Sequence, residues 1–166
     1  VLGPMTNPAG AKRQVIGVFS QDWQYKMAEV LKLLGSEHAL IVHSQGLDEI
    51  RLDAPSSVVE LKAGTISQYE INPQQFGFAK RDAAQLNALV ATSTDSSLAL
   101  IKQSLTDDTS AAADIVSLNA GASIYVAGVA TSLGNGIAMA QDAIATGLAN
   151  ERFNELVRVT KMMVAT

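Results

Sequence analysis

Two short apolar runs bracket one amphipathic segment near the start of the chain, and this arrangement leaves few topologies open. "QVIGVF" (residues 14–19) and "HALIVH" (residues 38–43) are rich in aliphatic and β-branched side chains and lack polar alternation. Runs of that kind mark strands covered on both faces. Between them Trp23, Met27, Val30, Leu31 and Leu34 recur at helical spacing, and Gly35 supplies a C-terminal stop. Strand, helix and strand in so short a compass form a βαβ unit, whose two strands run parallel with a right-handed crossover.

The texture changes after residue 50. "SSVVELKAGTISQYEI" (residues 56–71) reads as two strands joined at Lys62-Ala63-Gly64, a hairpin added to the parallel sheet. "NPQQFGFAKRD" (residues 72–82) is a loop opened by Asn72-Pro73 and punctuated by Gly77. From Ala83 onward only helices are expected. They cover Ala83 to Leu89, a Thr94 or Asp95 cap to Leu105, Thr109 or Ser110 to Ala127, Leu133 to Thr146, and Asn150 to the end. In the last, Phe153, Leu156, Val157, Thr160 and Val164 share one face, opposite Glu151, Asn154, Glu155, Arg158 and Lys161. The expected fold class is α/β: a mainly parallel sheet with an added β-hairpin, flanked by helices, strand-rich to about residue 72 and helical from about residue 83.

Composition narrows the function classes. A chain of 166 residues suits one domain and can bury about 70% of the surface its unfolded form exposes. With 48% hydrophobic and 17% charged residues it is globular. The net charge of −4 argues against a nucleic-acid binder, which carries a basic stripe able to displace counterions. Without cysteine there is neither a disulfide framework nor a thiolate metal site, which leaves the redox compartment open; a reducing, cytoplasmic location fits without strain. "AAADIVSLNAGASIYVAGVA" (residues 111–130) is the most apolar long window. Asp114, Asn119 and many small residues interrupt it, so it reads as a buried helix and no membrane partner is expected. The opening Val1-Leu2-Gly3-Pro4, without an initiating Met, suggests a soluble piece of a longer chain.

"VHSQGLDEI" (residues 42–50) carries the candidate chemistry. Asp48 and Glu49 lie just past the second strand, across the turn Ser44-Gln45-Gly46-Leu47. Ligands of open α/β sheets sit beyond the carboxyl ends of the strands. Magnesium takes hard oxygen ligands and often only one or two protein carboxylates besides waters and substrate phosphates. Adjacent side chains of a regular strand point to opposite faces, so a shared site needs an irregular backbone, and Gly46 can supply it. The alternative is that both acids are simply solvated.

A longer pattern bears on that choice. "VLGPMTNPAG", then strand, helix and strand, then "VHSQGLDE", then "LNAGASIYVAG" (residues 118–128) resembles anthranilate phosphoribosyltransferase over nearly the whole chain. The resemblance implies a nucleoside phosphorylase/phosphoribosyltransferase type of catalytic domain, with residues 1–166 as its C-terminal part and the N-terminal helical domain lacking. It implies transfer of phosphoribose from phosphoribosyl pyrophosphate to the amine of anthranilate, releasing pyrophosphate, in tryptophan biosynthesis. It also implies a homodimer of the full-length chain, and a magnesium site in which Asp48 and Glu49 are the metal-binding pair. The family's glycine-rich phosphate loop and its anthranilate-associated arginine precede the matching region, so this segment alone is expected to be inactive. Three departures stand out. Ser44 replaces a common glycine, Met5 replaces leucine, and "LVATSTDSS" (residues 89–97) lacks a Gly-Gly element. Two rival functions are a pyrimidine nucleoside phosphorylase, for which "LGPMTNPA" is unsuited, and a nucleic-acid-binding relative. The latter would lose the acidic pair and gain basic surface.

The remaining polar residues are read structurally. His43 ends a strand, and no second histidine is spaced to form a metal site with His38. Asn119, in an apolar helix, ties that helix to a neighbouring backbone. Gly121 and Ala122 permit close helix packing, Gly134 and Gly136 mark a turn and helix start, and Asn7-Pro8 sets a turn. Trp23 and Tyr25, without basic company, are assigned to core or interface packing.

Overall fold

The computed structural model describes residues 3–164, so Val1 and Leu2 of the opening motif lie outside the described residues. Four strands, β1 (Arg13–Gly17), β2 (His38–His43), β3 (Ser56–Lys62) and β4 (Thr65–Ile71), form one sheet in the order β1-β2-β3-β4. β1 and β2 are parallel, with Val15 beside Leu40, and α1 (Gln24–Leu33) makes the crossover. β3 runs antiparallel to β2, and β4 antiparallel to β3. The sheet is therefore mixed. Its parallel part is a single pair in this chain, where sequence alone suggested a mainly parallel sheet. The hairpin supplies the other two pairings, through a two-residue turn in which Ala63 (φ +48°) and Gly64 (φ +78°) are both left-handed.

β2 is the centre of the core. Ala39 and Ile41 point to one face, with Ile16, Met27, Ala28, Leu31, Val59 and Leu61, where α1 covers the sheet. Leu40 and Val42 point to the other, with Val58, Ile71, Leu118, Ala122 and Ile137. Burial on both faces explains the missing alternation in "HALIVH". Each fully buried aliphatic side chain contributes about 1.5–3 kcal/mol.

α1 ends as its glycine foretold. Gly35 (φ +79°) donates its N–H to the Lys32 carbonyl at 3.1 Å, and Ser36 donates to Leu31 at 2.9 Å, a Schellman closure. Its rotation differs from the expected apolar stripe. Gln24, Met27, Ala28 and Leu31 are buried, whereas Val30 (37% exposed) and Leu34 (53%) face outward. The buried Gln24 amide settles the rotation. Its Nε2 donates to the carbonyls of Ile41 (2.7 Å) and Ser57 (2.8 Å), and its Oε1 accepts from Ser57 Oγ (2.9 Å). Trp23 and Tyr25 are likewise exposed and not core residues; the Lys26 ammonium lies 5.4 Å from the Trp23 ring centroid.

Five helices follow: α2 (Ala83–Asn87), α3 (Thr94–Thr106), α4 (Ala111–Val126), α5 (Leu133–Ala145) and α6 (Leu148–Val164). Asp82, Ser93, Ser110 and Ser132 cap the first four, each side chain accepting the backbone N–H three residues on. Each cap contributes about 1 kcal/mol. The cap of α3 is thus Ser93, ahead of the expected Thr94, because only the residue with extended backbone can turn its oxygen onto the first turn. α4 and α5 cross where side chains vanish: a Cβ on Gly121 would fall 2.6 Å from the Cα of Ile137, and one on Gly136 would fall 2.3 Å from the Gly121 carbonyl oxygen. α6 packs against α5 and α3. Phe153 and Val157 of its apolar face are half-buried and Leu156 is 60% exposed, while the Val164 side chain lies outside the described residues. Among the described residues no helix is long and apolar enough to cross a membrane.

Candidate functional site

Because β1 and β2 are parallel, their carboxyl ends lie together, and the chain leaving β2 folds across both. Ser44 and Leu47 exchange two backbone hydrogen bonds of 2.9 Å around Gln45 (φ +46°) and Gly46 (φ +89°). Two successive left-handed residues make this a type I′ turn, and the glycine accepts its share without strain. Asp48 and Glu49 then occupy bends and not strand positions. The irregular backbone that an adjacent pair of ligands requires is present.

Contacts on either side hold the acidic segment in place. Beneath it lies Gly17, the last residue of β1, where a Cβ would stand 1.6 Å from the Asp48 carbonyl oxygen and 2.8 Å from the Asp48 Cβ. Only glycine admits that approach. His43, beside it, pairs its Nδ1 with the Val18 carbonyl at 2.7 Å, which makes it a strand-end tie, as expected. On the far side Ile50 is fully buried, and its peptide is clamped by Asn119 of α4. Asn119 Oδ1 accepts from Ile50 N–H at 3.0 Å, and its Nδ2 donates to the Ile50 carbonyl at 2.8 Å. Ser44, buried where glycine is common in the resembled family, donates its hydroxyl to Ser56, whose Oγ accepts the Arg51 N–H at 3.2 Å. Neither Ser44 nor its partner needs a left-handed backbone, so the serine adds a buried tie.

The charges around the segment are unequally occupied. Arg51 and Asp53 form a two-pronged ion pair, Nε to Oδ1 and Nη2 to Oδ2. That hydrogen bonding holds the Asp53 carboxyl below its ordinary range and raises the Arg51 guanidinium. Asp48 and Glu49 are both exposed and make no hydrogen bond or ion pair among the described residues. They face different neighbours. Glu49 lines a groove of about 450 Å³ whose other walls include Leu47, Leu86, Leu89 and Ile115, while Asp48 overlies the end of β1. A wider depression of about 820 Å³, bounded by Tyr25, Lys26 and Gly64, opens at the amino end of β2 and away from the acidic pair.

Among the described residues, no cluster of three or more acidic, histidine or cysteine side chains could hold a metal by itself. Two free carboxylates suit a hard cation that keeps several waters and completes its shell with phosphate oxygens; they do not make a closed protein cage. By donor type alone, the two carboxylates fit magnesium shared with a phosphorylated ligand.

The other singled-out residues have structural roles. His38 is buried and pairs through Nε2 with Glu60 Oε1 at 2.7 Å, remote from the acids at the opposite end of β2. Asn7 caps its own turn, its Oδ1 accepting the Ala9 N–H at 2.9 Å. Gly134 and Gly136 lie in the first turn of α5, a helix start as expected. Gly17, Ser56 and the Arg51–Asp53 pair were not identified from sequence. A lone glycine inside an apolar strand is a known sign of close backbone approach, so Gly17 carried a signal; the other contacts carried none.

The chain matches the family model described as "Glycosyl transferase family, a/b domain" over residues 1–150. It is 50% identical to the anthranilate phosphoribosyltransferase of Teredinibacter turnerae across 98% of this chain and 48% of that protein. With the enzyme of the same name from Ectopseudomonas mendocina it shares 51% identity across 96% of this chain and 47% of that one. The chain thus spans about half the length of the curated relatives it matches. Among solved structures, the anthranilate phosphoribosyltransferase of Thermus thermophilus superposes with a TM-score of 0.80 at 38% identity, covering 95% of this chain and 46% of that one. The Saccharomyces cerevisiae enzyme in complex with PRPP and Mg shares the fold, with a TM-score of 0.75 at 22% identity, over 91% of this chain and 43% of that one. The short mixed sheet and its covering helices, with the acidic turn at the strand ends, belong to the glycosyl transferase family defined by this a/b domain.

Proposed function

We propose that residues 1–166 are the C-terminal part of the α/β domain of an anthranilate phosphoribosyltransferase. The complete enzyme joins the amine nitrogen of anthranilate to C1 of phosphoribosyl pyrophosphate, the C1–O bond breaking with its electron pair to the departing pyrophosphate and the amine giving up one proton, in tryptophan biosynthesis. A homodimer of the complete chain and a cytoplasmic location go with this reading. The observation that carries it is 50% identity to an enzyme of that name across 98% of this chain.

Asp48 and Glu49 would hold magnesium at the pyrophosphate. The cation, when bound, offsets the charge that grows on the leaving diphosphate. The chain's own work is to position. The type I′ turn lifts the acids out of strand geometry, Gly17 lets Asp48 settle on the end of β1, and Asn119 and Ser56 anchor the peptides that follow. A cation would thus meet carboxylates whose backbone is already ordered, which lowers the entropy lost on binding.

The test is the double substitution Asp48→Asn with Glu49→Gln in the complete polypeptide, upstream half included. Both residues are exposed, so the thermal midpoint should stay within about 2 °C. Magnesium-dependent formation of phosphoribosylanthranilate should weaken at least about tenfold. Unchanged turnover and an unchanged magnesium optimum would sink the assignment of the pair.

A further inference from the structure

We infer that Asn119 is a positioning residue for the acidic pair, acting through the peptide of Ile50; the inference rests on the magnesium reading above and extends it to α4. Asn119 and Ile50 are 69 positions apart in the chain, yet the amide engages both polar atoms of a single residue. Its Oδ1 takes the Ile50 N–H, and its Nδ2 serves the Ile50 carbonyl and, at 3.0 Å, the Ile115 carbonyl one helical turn back. Both amide protons are thereby used. A flipped amide would set donor against donor and acceptor against acceptor, so one orientation is specified.

The anchor behind the clamp is rigid. Two residues on from Asn119, Gly121 lies directly against the Ile137 backbone, so α4 cannot slide along α5 without a backbone collision. Ile50 itself is fully buried and cannot swing outward. Glu49 is joined directly to the clamped residue, and Asp48 follows over Gly17. A chain of fixed contacts thus runs from α5 through α4 and Asn119 to two carboxylates that are otherwise free in solvent. Residues that orient metal ligands from behind affect metal affinity by about 10–100-fold when removed.

Asn119→Leu keeps the branched outline, at a larger volume, and removes all three side-chain hydrogen bonds; Asn119→Ala removes them without adding bulk, should leucine crowd the site. Each is introduced into the complete chain and read in three ways: magnesium concentration for half-maximal turnover beside the KM for anthranilate, direct Mn2+ binding by water-proton relaxation, and hydrogen exchange at the Ile50 amide without metal. We expect the magnesium requirement and the Mn2+ dissociation constant to rise about tenfold, with the anthranilate KM unchanged and Ile50 exchange faster. Leu118→Ala, a core truncation next to Asn119, controls for lost stability and should leave the magnesium requirement unchanged. An unshifted Mn2+ constant in both Asn119 variants overturns the inference while the magnesium reading stands. So does an equal shift in Leu118→Ala, or Ile50 exchange unaltered by loss of the amide. If the unsubstituted complete chain binds no Mn2+ and ignores magnesium, the magnesium reading itself falls, and this inference with it.

Discussion

The alpha carbon of Gly17 faces the peptide of Asp48 so closely that a methyl group on it would lie 1.6 Å from the Asp48 carbonyl oxygen. The end of β1 therefore acts as a seat for the acidic segment, and the absence of a side chain is what makes the seat. Gly17→Ala must push that segment outward or distort β1. The expected cost is about 1–3 kcal/mol, as for other overpacked sites. Chemical denaturation should show a lower midpoint, and on the magnesium reading proposed above the magnesium requirement of the complete chain should rise.

Glycines in α4 and α5 separate into two kinds. Gly121→Ala places a methyl 2.6 Å from the Ile137 backbone and should destabilise by about 2 kcal/mol. Gly134→Ala meets only the Phe76 ring, at the ordinary distance of 3.7 Å. With helical backbone it should be neutral or stabilising, by up to about 0.5–1 kcal/mol. Thermal melts of the two variants should move in opposite directions, or at least differ by several degrees.

Glu60 is a buried junction. It pairs with His38 Nε2 at 2.7 Å and accepts the Tyr125 hydroxyl at 2.8 Å, while Lys62 Nζ donates to the same tyrosine oxygen at 3.0 Å. Glu60→Leu would leave the buried His38 nitrogen without its partner, at about 1–3 kcal/mol for an orphaned group. Glu60→Gln keeps an acceptor of the same size and should lose less. Urea denaturation of the two variants beside the parent measures the difference.

Stability should fall at both pH extremes for identifiable reasons. Asp53 is held below its ordinary value of 3.8 by the hydrogen bonds of Arg51. A depressed carboxyl stabilises the fold fully above its unfolded value and loses that contribution as pH falls through the folded one. The pair is partly exposed, so its worth is about 0.5–1 kcal/mol. Tyr69 is raised above its ordinary value of 10.0, first by burial and then by the Glu60 charge. A raised phenol stabilises fully below its unfolded value, and the contribution disappears as pH climbs toward the folded one. Asp53→Asn should flatten the acid limb below about pH 4, and Tyr69→Phe the alkaline limb above about pH 10. Denaturation midpoints across pH provide the check.

Local chemistry was legible in the letters. The crossover from "QVIGVF" to "HALIVH", the Ala63-Gly64 hairpin turn and the stop at Gly35 follow from side-chain period and from which residues tolerate a left-handed backbone. Helix starts were legible to within two residues: Ser110 caps as expected, Ser93 lies one place ahead of Thr94, and α6 begins at Leu148, two places before Asn150. These are interactions within one turn of chain, so neighbours in sequence carry them. The acidic pair was also visible, as was the turn that precedes it.

Which face of α1 turned inward was not legible, because Gln24 outweighs its hydrophobicity rank once Ile41 and Ser57 offer it partners. The hold on the acidic segment was equally hidden. Gly17 meets Asp48 only after two parallel strands have aligned, and Asn119 finds Ile50 only after α4 has packed on the sheet. Side-chain periodicity and turn preference are written residue by residue, so the chain alone determined its elements and their order. Close approach between distant peptides depends on the sum of all packing, and tertiary structure alone decided where the carboxylates stand and what keeps them there.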